Sequence, residues 1–301
     1  MQFITKERMR MYSIIANPLS GGGLASQKLP ELEKLLREKG IAYRMDITRK
    51  AGEARALARK AAEDGLEGVI AMGGDGTFYE VANGLGESGL ELIFAPCGTG
   101  NDFMRMFHLP ADTVEAVKKQ MESPVRMLDL CKCNDGYYLN IAGTGFDVEV
   151  LIQAERFKAK YSGLGAYLRG AYYAIRHLKP LKAQVTIDGG VEQERECTIL
   201  SVGNGRYLGG GMKAVPGAVV DDGLLDVVMC RPVSKISLIW LLLLFVRGRH
   251  VKYPSLTQTL RCRKIRVVSP GMTIEADGEM FPCDEAVFEV LPGGLRTRLP
   301  K

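Results

Sequence analysis

The alternation of apolar and polar residues changes character at about residue 133. Before it, short apolar runs alternate with longer stretches of helical period, which is typical of βα units around a parallel sheet. The apolar runs predict four strands, at residues 12–16, 43–47, 68–72 and 92–95. Leucines spaced three and four apart from Leu29 to Leu36 predict a helix, and residues 54–64 and 112–121 predict two more. We therefore expect a doubly wound α/β domain over residues 1–133.

After residue 134 the chain is richer in β-branched residues and glycine turns, which favours an antiparallel β fold. The predicted strands lie at residues 183–187, 198–202, 225–230, 265–268, 273–276 and 286–291. Two predicted helices interrupt them, one over residues 148–177 with a break near 163–165 and one over residues 235–249. We expect a second domain over residues 134–301, a mainly antiparallel β-sandwich whose last residues pack back on the first domain. The active site is expected in a cleft between the two domains.

Composition and charge exclude several classes of protein. The 301 residues are 46% hydrophobic and 25% charged, and the net charge of +5 is not gathered into a basic tail; this argues against a disordered chain and against a nucleic-acid partner. Seven cysteines without a C-x-x-C pair argue against a zinc site and a disulfide framework, and they predict a cytoplasmic location. The N-terminus has no signal-peptide pattern. The longest apolar run, residues 236–246, is shorter than the ~20 residues that span a bilayer.

Three glycine-rich turns each follow a predicted strand. They are Asn17-Pro18-Leu19-Ser20-Gly21-Gly22-Gly23, then Gly73-Gly74-Asp75-Gly76-Thr77, then Pro96-Cys97-Gly98-Thr99-Gly100-Asn101-Asp102-Phe103. The carboxyl ends of strands are where α/β sheets bind ligands, and glycines let a phosphate approach the backbone. The second turn carries the sharpest signal, because it sets a carboxylate among glycines where phosphates and Mg²⁺ could meet.

Each turn also has a purely structural interpretation. The first is compatible with an ordinary βα turn, Asp75 with a cap for the helix that follows it, and Asp102 with a turn residue. A cap requires one aspartate and not three surrounding glycines, so we favour a functional second turn. For Asp102 both interpretations stay open.

These turns and two later motifs resemble the diacylglycerol kinase catalytic domain family, which includes bacterial lipid kinases and the sphingosine and ceramide kinases. The later motifs are Asp221-Asp222-Gly223 and Asp277-Gly278-Glu279, and all five occur in the family's order between residue 12 and about residue 291. The resemblance implies a first domain similar to phosphofructokinase and NAD kinase, and phosphate transfer from ATP to a lipid hydroxyl. Neither a Walker loop nor the protein kinase H-R-D set is present.

The resemblance also implies roles for single residues. ATP contacts are expected at Asn17, Pro18, Ser20, Gly21, Thr48, Gly73, Gly74, Asp75, Gly76, Thr77 and Thr99. Of these, Thr48 rests only on its position after a strand. Mg²⁺ is expected on the Asp222 carboxylate and the backbone carbonyls of Val219 and Leu224. Glu279 is the expected general base, Asp75 the second catalytic residue, and Asp129 matches a family aspartate near the crossover between the domains.

Any enzyme that transfers a phosphoryl group needs groups of these kinds, whatever its family. It depends on positioning and charge neutralisation, and so on N–H-rich phosphate cradles, a metal held by carboxylates and a base near the attacking hydroxyl. The structural alternatives are a surface turn for Glu279 and a hairpin turn for the Asp222-Gly223 pair. In this family the metal at Asp222 looks structural, so we do not assign Asp222 a catalytic role.

Two predicted helices suit contact with a lipid surface. The first mixes aromatic and apolar residues with cations, which is typical of an interfacial helix on anionic lipid: Tyr161, Leu164, Tyr167, Leu168, Tyr172 and Tyr173 among Lys158, Lys160, Arg169, Arg176, His177 and Lys179. We predict that it borders the lipid entrance and that removing its four basic residues from Lys158 to Arg176 weakens liposome binding. The second helix contains the only tryptophan, Trp240, and there burial in the core is the favoured interpretation.

Two other functions were weighed against a lipid kinase. NAD kinases share the Gly-Gly-Asp-Gly-Thr loop, but their asparagine–glutamate pair and their Thr-Pro-Thr-Gly-Ser stretch are absent here. A non-catalytic lipid-binding protein of the same fold is the other alternative, and the retention of Asp75, Asp222 and Glu279 argues against it. We expect a lipid kinase that uses ATP and Mg²⁺ and contacts a membrane peripherally. Diacylglycerol is the default acceptor, while other lipid alcohols and a homodimer stay open.

Overall fold

The computed structural model describes residues 11–158, 160–161 and 164–300, without the side chains of Lys158 and Leu164. The N-terminal residues in which we predict no signal peptide, and Gly163 in the predicted helix break, lie outside the described residues. The chain forms two compact units, one of the residues up to Leu128 and from Gly294 onward, and one of residues 129–293. The predicted boundary after residue 133 therefore lies within the second unit.

The first unit is built on a parallel sheet. Its strands are β1 (Met11–Ala16), β2 (Ala42–Ile47), β3 (Gly68–Gly73) and β4 (Glu91–Pro96), in the order β4-β3-β1-β2. All four predicted strands are confirmed to within a residue at each end. The last residues of the chain add a fifth parallel strand, because Arg296 and Thr297 pair with Glu91 and Leu92.

In the described part of this unit four α-helices accompany the sheet: α1 (Ser20–Glu38), α2 (Glu53–Glu63), α3 (Asp75–Leu85) and α4 (Thr113–Glu122). The leucine stripe of α1 buries Leu32 and Leu36 against sheet residues that include Ile14 and Met72. The helix α4 begins as predicted at Asp112, whose carboxylate accepts hydrogen bonds from the N–H groups of the following first turn. The predicted α/β domain is thereby confirmed.

The second unit is mainly antiparallel. Its strands are the end of β5 (Val125–Cys133), β6 (Gly136–Tyr138), β7 (Ile141–Gly145), β8 (Leu181–Ile187), β9 (Gln193–Cys197), β10 (Ile199–Gly203), β11 (Leu225–Cys230), β12 (Thr257–Cys262), β13 (Lys264–Ala276) and the greater part of β14 (Glu279–Arg298). They run in the order β12-β11-β10-β7-β13-β14, and β8 pairs with β13 and β9. The strands predicted at 265–268 and 273–276 are one strand, β13, with an irregularity between Val268 and Met272.

The described residues of the second unit form three α-helices: α5 (Phe146–Lys158), α6 (Leu164–Arg176) and α7 (Lys235–Val246). The preference for burial of the second predicted helix is wrong for half of its surface. One face of α7 is buried, but Ile236, Ile239 and Leu243 on the other face are exposed. No helix in the described part of the chain has both the length and the apolar character needed to cross a membrane.

Candidate active site

Three loops meet at the carboxyl edge of the parallel sheet, where β1, β3 and β4 end. Their backbones lie so close that a Cβ atom on Gly98 would be 2.6 Å from the Cα of Gly74. A Cβ atom on Gly74 would in turn be 3.6 Å from Ser20 Oγ. A side chain at Gly98 would clash with the backbone of Gly74, so the close approach of the second and third turns requires glycine at position 98.

The first loop turns through three consecutive left-handed glycines. Gly21, Gly22 and Gly23 have φ angles of 62°, 67° and 96°, which other residues adopt only at a cost. Before them, Asn17 Oδ1 accepts a 3.2 Å hydrogen bond from the N–H group of Leu19. These three glycines lie at the start of α1 and carry no side chains that would cover their backbone N–H groups, which suits the approach of a ligand.

Asp75 is the first residue of α3, but it does not cap its own helix. The helix begins after Gly74 without a side-chain cap, and the Asp75 carboxylate instead accepts hydrogen bonds from backbone N–H groups of Asn101, Asp102 and Phe103. Burial raises the pKa of Asp75, while these N–H groups act in the opposite direction. Its Oδ1 atom is buried without a hydrogen-bond partner in the described structure, so one carboxylate oxygen stays available to a ligand or a cation.

A cavity of about 310 Å³ opens beside these loops. Six of the predicted ATP-contact residues line it: Asn17, Ser20, Thr48, Gly74, Gly76 and Thr77. Thr48, which was predicted from its position alone, is buried and donates a hydrogen bond to the carbonyl of Ala16. The sheet edge thus brings together residues from three separate turns, those after β1, β2 and β3, around one space.

The remaining predicted residues of this edge lie behind or beside the cavity. Gly73 is buried, and a Cβ atom there would be 2.2 Å from Thr77 Oγ1. Gly21 lies against Cys97, and Thr99 is exposed. Pro18 is half-buried, and its carbonyl accepts a hydrogen bond from Ser26. Asp102, for which two interpretations stay open, is buried beside Asp75 and pairs with Arg105 at 3.2 Å.

Sequence analysis missed three charged residues that line the same cavity: Arg49, Lys50 and Glu80. Arg49 and Lys50 follow Thr48 in the turn after β2, and both are exposed. Glu80 lies in α3 and accepts hydrogen bonds from the N–H groups of Gly52 and Ala54, at 2.8 and 3.0 Å. The sequence indicates the position of the two cations, because they follow a predicted strand end. No pattern in the sequence indicates that Glu80 contacts a turn 28 residues away.

In the second unit, Glu279 begins β14 directly after a tight turn. Asp277, with a φ angle of 48°, holds this turn because its carboxylate accepts hydrogen bonds from the N–H groups of Leu139, Asn140 and Ile141. Glu279 itself is exposed. The two acids of the motif therefore differ: Asp277 fixes the backbone, and Glu279 presents a carboxylate to solvent or to a ligand.

Glu275 and Asp147 are two buried carboxyl groups that interact with each other in the same unit. Burial, with smaller contributions from the nearby charges of Asp147, Asp277 and Glu279, raises the pKa of Glu275 to about 8. Burial likewise raises the pKa of Asp147 to about 6. Glu275 accepts a hydrogen bond from the N–H group of Gly278, so a buried, largely protonated carboxyl group supports the turn that carries Glu279.

The predicted metal residues lie in the loop before β11. Asp222 accepts a 3.1 Å hydrogen bond from the N–H group of Leu224 and pairs with Arg261. Asp129 is buried and braces the same loop, because its carboxylate accepts hydrogen bonds from the N–H groups of Gly223, at 2.7 Å, and of Gly293, at 3.0 Å. Burial raises the pKa of Asp129, and the charges of the neighbouring Asp222 and Asp221 add to this effect.

Comparison with known proteins identifies the family. Residues 11–133 match the diacylglycerol kinase catalytic domain, and residues 140–298 match the YegS C-terminal NAD kinase beta sandwich-like domain. A diacylglycerol kinase of Staphylococcus carnosus is 30% identical over 291 residues, which cover 96% of this chain and 94% of that protein. The chain belongs to the diacylglycerol kinase family. Another relative, a diacylglycerol kinase of Mycobacterium tuberculosis, is 29% identical over 294 residues, or 95% of this chain and 94% of its own.

Solved structures show the same fold. A crystal structure of a diacylglycerol kinase from Bacillus anthracis superposes with a TM-score of 0.74 at 22% identity and covers 98% of both chains. An NAD kinase from Archaeoglobus fulgidus in complex with ATP superposes with a TM-score of 0.51 at 16% identity, covering 93% of this chain and 90% of its own. The predicted resemblance to NAD kinase is therefore confirmed at the level of the fold. As a member of the diacylglycerol kinase family, the chain is a kinase, and a kinase domain implies the use of ATP.

The oxygen atoms in the loop that carries Asp222 suit a hard cation. A carboxylate and two backbone carbonyls are oxygen ligands of the kind that Mg²⁺ binds, and Asp129 and Asp221 add negative charge nearby. Within the described residues, no cluster of three or more His, Cys, Asp or Glu side chains is arranged to hold a metal ion. A metal at Asp222 in this diacylglycerol kinase family member would therefore depend on the carbonyls of Val219 and Leu224 and on water.

Proposed function

We propose that this protein transfers the γ-phosphate of ATP to the hydroxyl group of a lipid alcohol, with diacylglycerol as acceptor and phosphatidic acid as product. The observation that carries the proposal is the meeting of three glycine-rich loops around the Asp75 carboxylate at the carboxyl edge of a parallel sheet. Such an edge offers backbone N–H groups to phosphate oxygens. The names of the curated relatives support diacylglycerol as the acceptor.

The nucleotide belongs to the first unit. The proposed contacts are Asn17, Pro18, Ser20, Gly21, Thr48, Gly73 to Thr77 and Thr99, together with the two cations that line the same cavity. N–H groups of the glycine loops bind the phosphate oxygens, and Arg49 and Lys50 offset the negative charge of the triphosphate. The free Oδ1 atom of Asp75 accepts a hydrogen bond or faces a cation bound to the phosphates.

Glu279 is the proposed general base. Its exposed carboxylate accepts the proton of the acceptor hydroxyl while the hydroxyl oxygen bonds to the γ-phosphorus and the bond to ADP breaks. Asp277 and Glu275 act as positioning residues, because their hydrogen bonds fix the turn that presents Glu279. That the reaction takes place in a cleft between the domains stays a prediction.

Mg²⁺ is the proposed cation of the loop that carries Asp222. The Asp222 carboxylate and the carbonyls of Val219 and Leu224 are its proposed ligands, and Asp129 holds the loop through Gly223. When bound, the metal would neutralise the charge of these aspartates and stiffen the loop. Arg261 already pairs with Asp222, so part of the same charge is balanced without the metal.

The proposal is tested by transfer of labelled γ-phosphate from ATP with Mg²⁺ to lipid alcohols in mixed detergent micelles. The panel contains diacylglycerol, phosphatidylglycerol, undecaprenol and a sphingoid base, and wild type is compared with Glu279→Gln. We expect labelled phosphatidic acid with wild type and a loss of about 10²–10⁴-fold with Glu279→Gln, as for removal of a general base. ATP binding is expected to persist in the variant.

The matched control is Glu289→Gln, which removes another β14 carboxylate, one that is half-buried and paired with Lys264 at 2.9 Å. This variant is expected to retain wild-type activity. Equal activity of Glu279→Gln and wild type would refute the assignment of the base. Labelling of another lipid in place of diacylglycerol would replace the proposed acceptor, and ATP binding without labelling of any lipid would support a non-catalytic lipid-binding protein.

A lipid acceptor also implies peripheral contact with a membrane, which is part of the proposal. Exposed aromatic and apolar residues of α6, among them Tyr167, Leu168 and Tyr172, are compatible with the predicted lipid entrance. The basic residues Arg169 and Arg176 belong to the same helix, while the side chain of Lys158 lies outside the described residues. Liposome binding after removal of the described basic residues Lys160, Arg169 and Arg176 tests this part.

A further inference from the structure

The helix α7 is apolar on both of its faces. Leu238, Leu241 and Phe245 are buried and pack on the core of the second unit. The opposite face consists of Ile236, Ile239, Trp240, Leu243 and Val246, which we call the α7 outer face. A soluble helix normally carries polar residues on the side that does not meet its domain. The composition of the outer face therefore has no explanation in the packing of the fold.

The outer face is well exposed. Ile236 is 83% exposed and Leu243 is 64% exposed, and Trp240 is 43% exposed although its ring packs edge-on against Tyr253 at 5.0 Å. The five side chains recur at intervals of one, three and four residues, so they form one continuous stripe along the helix. Contiguous apolar surface of this kind marks an interaction site, whereas apolar residues scattered singly do not.

The length of the helix limits what the outer face can meet. Twelve residues extend about 18 Å along the helix axis, which is too short to cross the ~30 Å hydrocarbon core of a bilayer. A helix whose inner face is packed on its own domain can instead lie in the plane of a membrane surface and bury its outer face among the acyl chains. Trp240, with Tyr253 beside it, is the kind of side chain that is enriched at membrane interfaces.

Charge distinguishes the two segments of the sequence that contain α7 and α6 from the rest of the chain, although Arg261, Lys264 and Arg266 of the first segment pair with acids outside it. Residues 227–274 contain nine Lys or Arg and no Asp or Glu, and residues 157–187 contain six Lys or Arg and no Asp or Glu. The first segment includes α7 and the second includes α6. Because these two segments hold fifteen positive charges and the whole chain has a net charge of +5, the rest of the chain carries a net charge of −10.

The two acid-free segments meet at the start of α7. Lys235 Nζ donates a 2.6 Å hydrogen bond to the carbonyl of Arg176, the last residue of α6. At the other end of α7, Arg247, Arg249 and Lys252 are all exposed. Cations therefore flank the apolar stripe at both ends. An anionic surface complements this arrangement, and the acidic remainder of the chain would be repelled by the same surface.

We propose that the α7 outer face, flanked by these cations, is the surface through which the protein docks on the anionic face of a lipid bilayer. This assignment names the surface that makes the peripheral membrane contact of the proposed function, and it rests on that proposed function. It differs from the predicted lipid entrance at α6, because it assigns insertion to α7 and makes Trp240 a residue that enters the membrane. A second copy of this chain fits the apolar stripe but not the cations at its ends, since two copies would bring like charges together.

Trp240 provides a direct readout, because it is the only tryptophan in the chain. Wild-type protein is mixed, without ATP, with vesicles of phosphatidylglycerol and phosphatidylcholine or of phosphatidylcholine alone. We expect a blue shift of the tryptophan emission with the anionic vesicles, and quenching when the acyl chains are brominated. The shift is expected to be much smaller with phosphatidylcholine alone. Protein that sediments with anionic vesicles without any change in its tryptophan emission would overturn the proposal.

A pair of variants distinguishes vesicle binding through the α7 outer face from nonspecific binding through any exposed apolar side chain. The double variant Ile236→Gln/Leu243→Gln removes two exposed anchors and is expected to lower the partition onto anionic vesicles by about tenfold or more. The matched control is Val191→Gln, which removes an equally apolar side chain, 82% exposed, from the acidic turn between β8 and β9. Both are surface changes, so thermal unfolding is expected to match wild type. Equal vesicle binding of the double variant and wild type would overturn the proposal.

Two further measurements distinguish this proposal from the proposed function and from a dimer. Transfer of phosphate to a short-chain diacylglycerol in detergent micelles is expected to be the same in the double variant and wild type, while transfer in vesicles falls. If wild type transferred no phosphate in any assay but still bound vesicles, the kinase function would be rejected and the docking proposal would be retained. Light scattering that shows a wild-type dimer and a monomeric double variant, without vesicle binding by either, would assign the face to a second copy instead.

Discussion

Gly21 lies directly against Cys97: a Cβ atom on Gly21 would be 2.0 Å from the Cys97 carbonyl oxygen. Cys97 is itself buried, and its N–H group donates a 2.7 Å hydrogen bond to the carbonyl of Gly73, so this oxygen cannot move away without disturbing β3 and β4. The neighbouring Gly22 has a similar φ angle, 67° against 62°, but a Cβ atom there would meet nothing within 4 Å. A side chain at Gly22 would therefore meet backbone strain alone, whereas a side chain at Gly21 would meet backbone strain and a steric clash.

Gly21→Ala is expected to destabilise the protein more than Gly22→Ala. Both changes place alanine in the left-handed region, at a cost of about 1–2 kcal/mol each. Only Gly21→Ala adds the clash with Cys97, and overpacking of this kind costs about 1–3 kcal/mol more. Urea unfolding of the two variants measures the difference. Equal free energies of unfolding would show that the first loop can shift away from the third, and that the close approach is not required.

Glu80 is expected to control the turn that carries Arg49 and Lys50. Glu80→Ala removes the acceptor for the N–H groups of Gly52 and Ala54, so we expect a loss of about 1–2 kcal/mol in stability. If the turn positions cations for ATP, KM for ATP rises while kcat changes less. Steady-state kinetics and calorimetric ATP binding measure both effects. Glu63→Ala, an exposed change near the end of α2, is the control, and an unchanged KM in Glu80→Ala would remove the turn from the ATP site.

The interaction of Glu80 illustrates what the sequence could and could not predict. The four strands of the first unit and the three glycine turns were predictable, because periodicity and short motifs are local properties of a sequence. The contact of Glu80 with the turn after β2 was not, because it joins residues 26 and 28 positions apart. The position of Arg49 and Lys50 at the cavity could have been predicted, since they follow a strand whose end was predicted.

The second unit was harder to predict for a different reason. The strands predicted from the sequence do not include β5, β6, β7, β9 or β12. Of these, β9 has the sequence Gln-Glu-Arg-Glu-Cys and is largely exposed, so no apolar alternation marks it. It forms because β8 offers it an edge to pair with, which is a tertiary contact. The sequence also does not predict that one face of α7 is buried and the other exposed, since a continuous apolar run does not indicate which of its residues the fold will cover.

Gln120 is expected to be one of the most sensitive positions of the first unit. It is fully buried in α4, where its amide accepts a 3.0 Å hydrogen bond from the Phe94 N–H group and donates a 2.6 Å hydrogen bond to the Phe94 carbonyl. It therefore pairs with β4 as a neighbouring strand would. Gln120→Leu leaves both backbone groups buried and unpaired, at a cost of about 2–5 kcal/mol.

Chemical denaturation of two further variants tests this interpretation of Gln120. Gln120→Glu keeps an acceptor for the Phe94 N–H group but loses the donor, so we expect an intermediate loss of stability. Lys119→Leu, an exposed change on the same helix, is expected to stay within about 0.5 kcal/mol of wild type. A free energy of unfolding for Gln120→Leu equal to that of Lys119→Leu would show that the amide contributes nothing to β4.

Glu275 is expected to make stability fall as the pH rises. Its pKa is raised from an ordinary value of 4.5 to about 8 in the folded protein, mainly by burial. Between these values the folded protein holds a proton that the unfolded chain has lost, so the stabilising contribution is complete below pH 4.5 and is lost as the pH rises through 8. The difference of one bound proton corresponds to about 1.4 kcal/mol per pH unit. Glu275→Gln, which cannot titrate, is expected to reduce this slope.

The interval from pH 7 to pH 8 isolates Glu275 from the other shifted groups. His250, whose pKa burial lowers from 6.5 to about 4, is mostly neutral there in both states, and Asp147, with a pKa of about 6, is mostly ionised in both. Below pH 8 the buried cysteines are mostly protonated in both states as well. Urea unfolding at half-unit steps compares wild type, Glu275→Gln and the control Glu289→Gln, whose slope is expected to match wild type. If Glu275→Gln keeps the wild-type slope, then Glu275 is ionised in the folded protein and does not support the Glu279 turn as a protonated group.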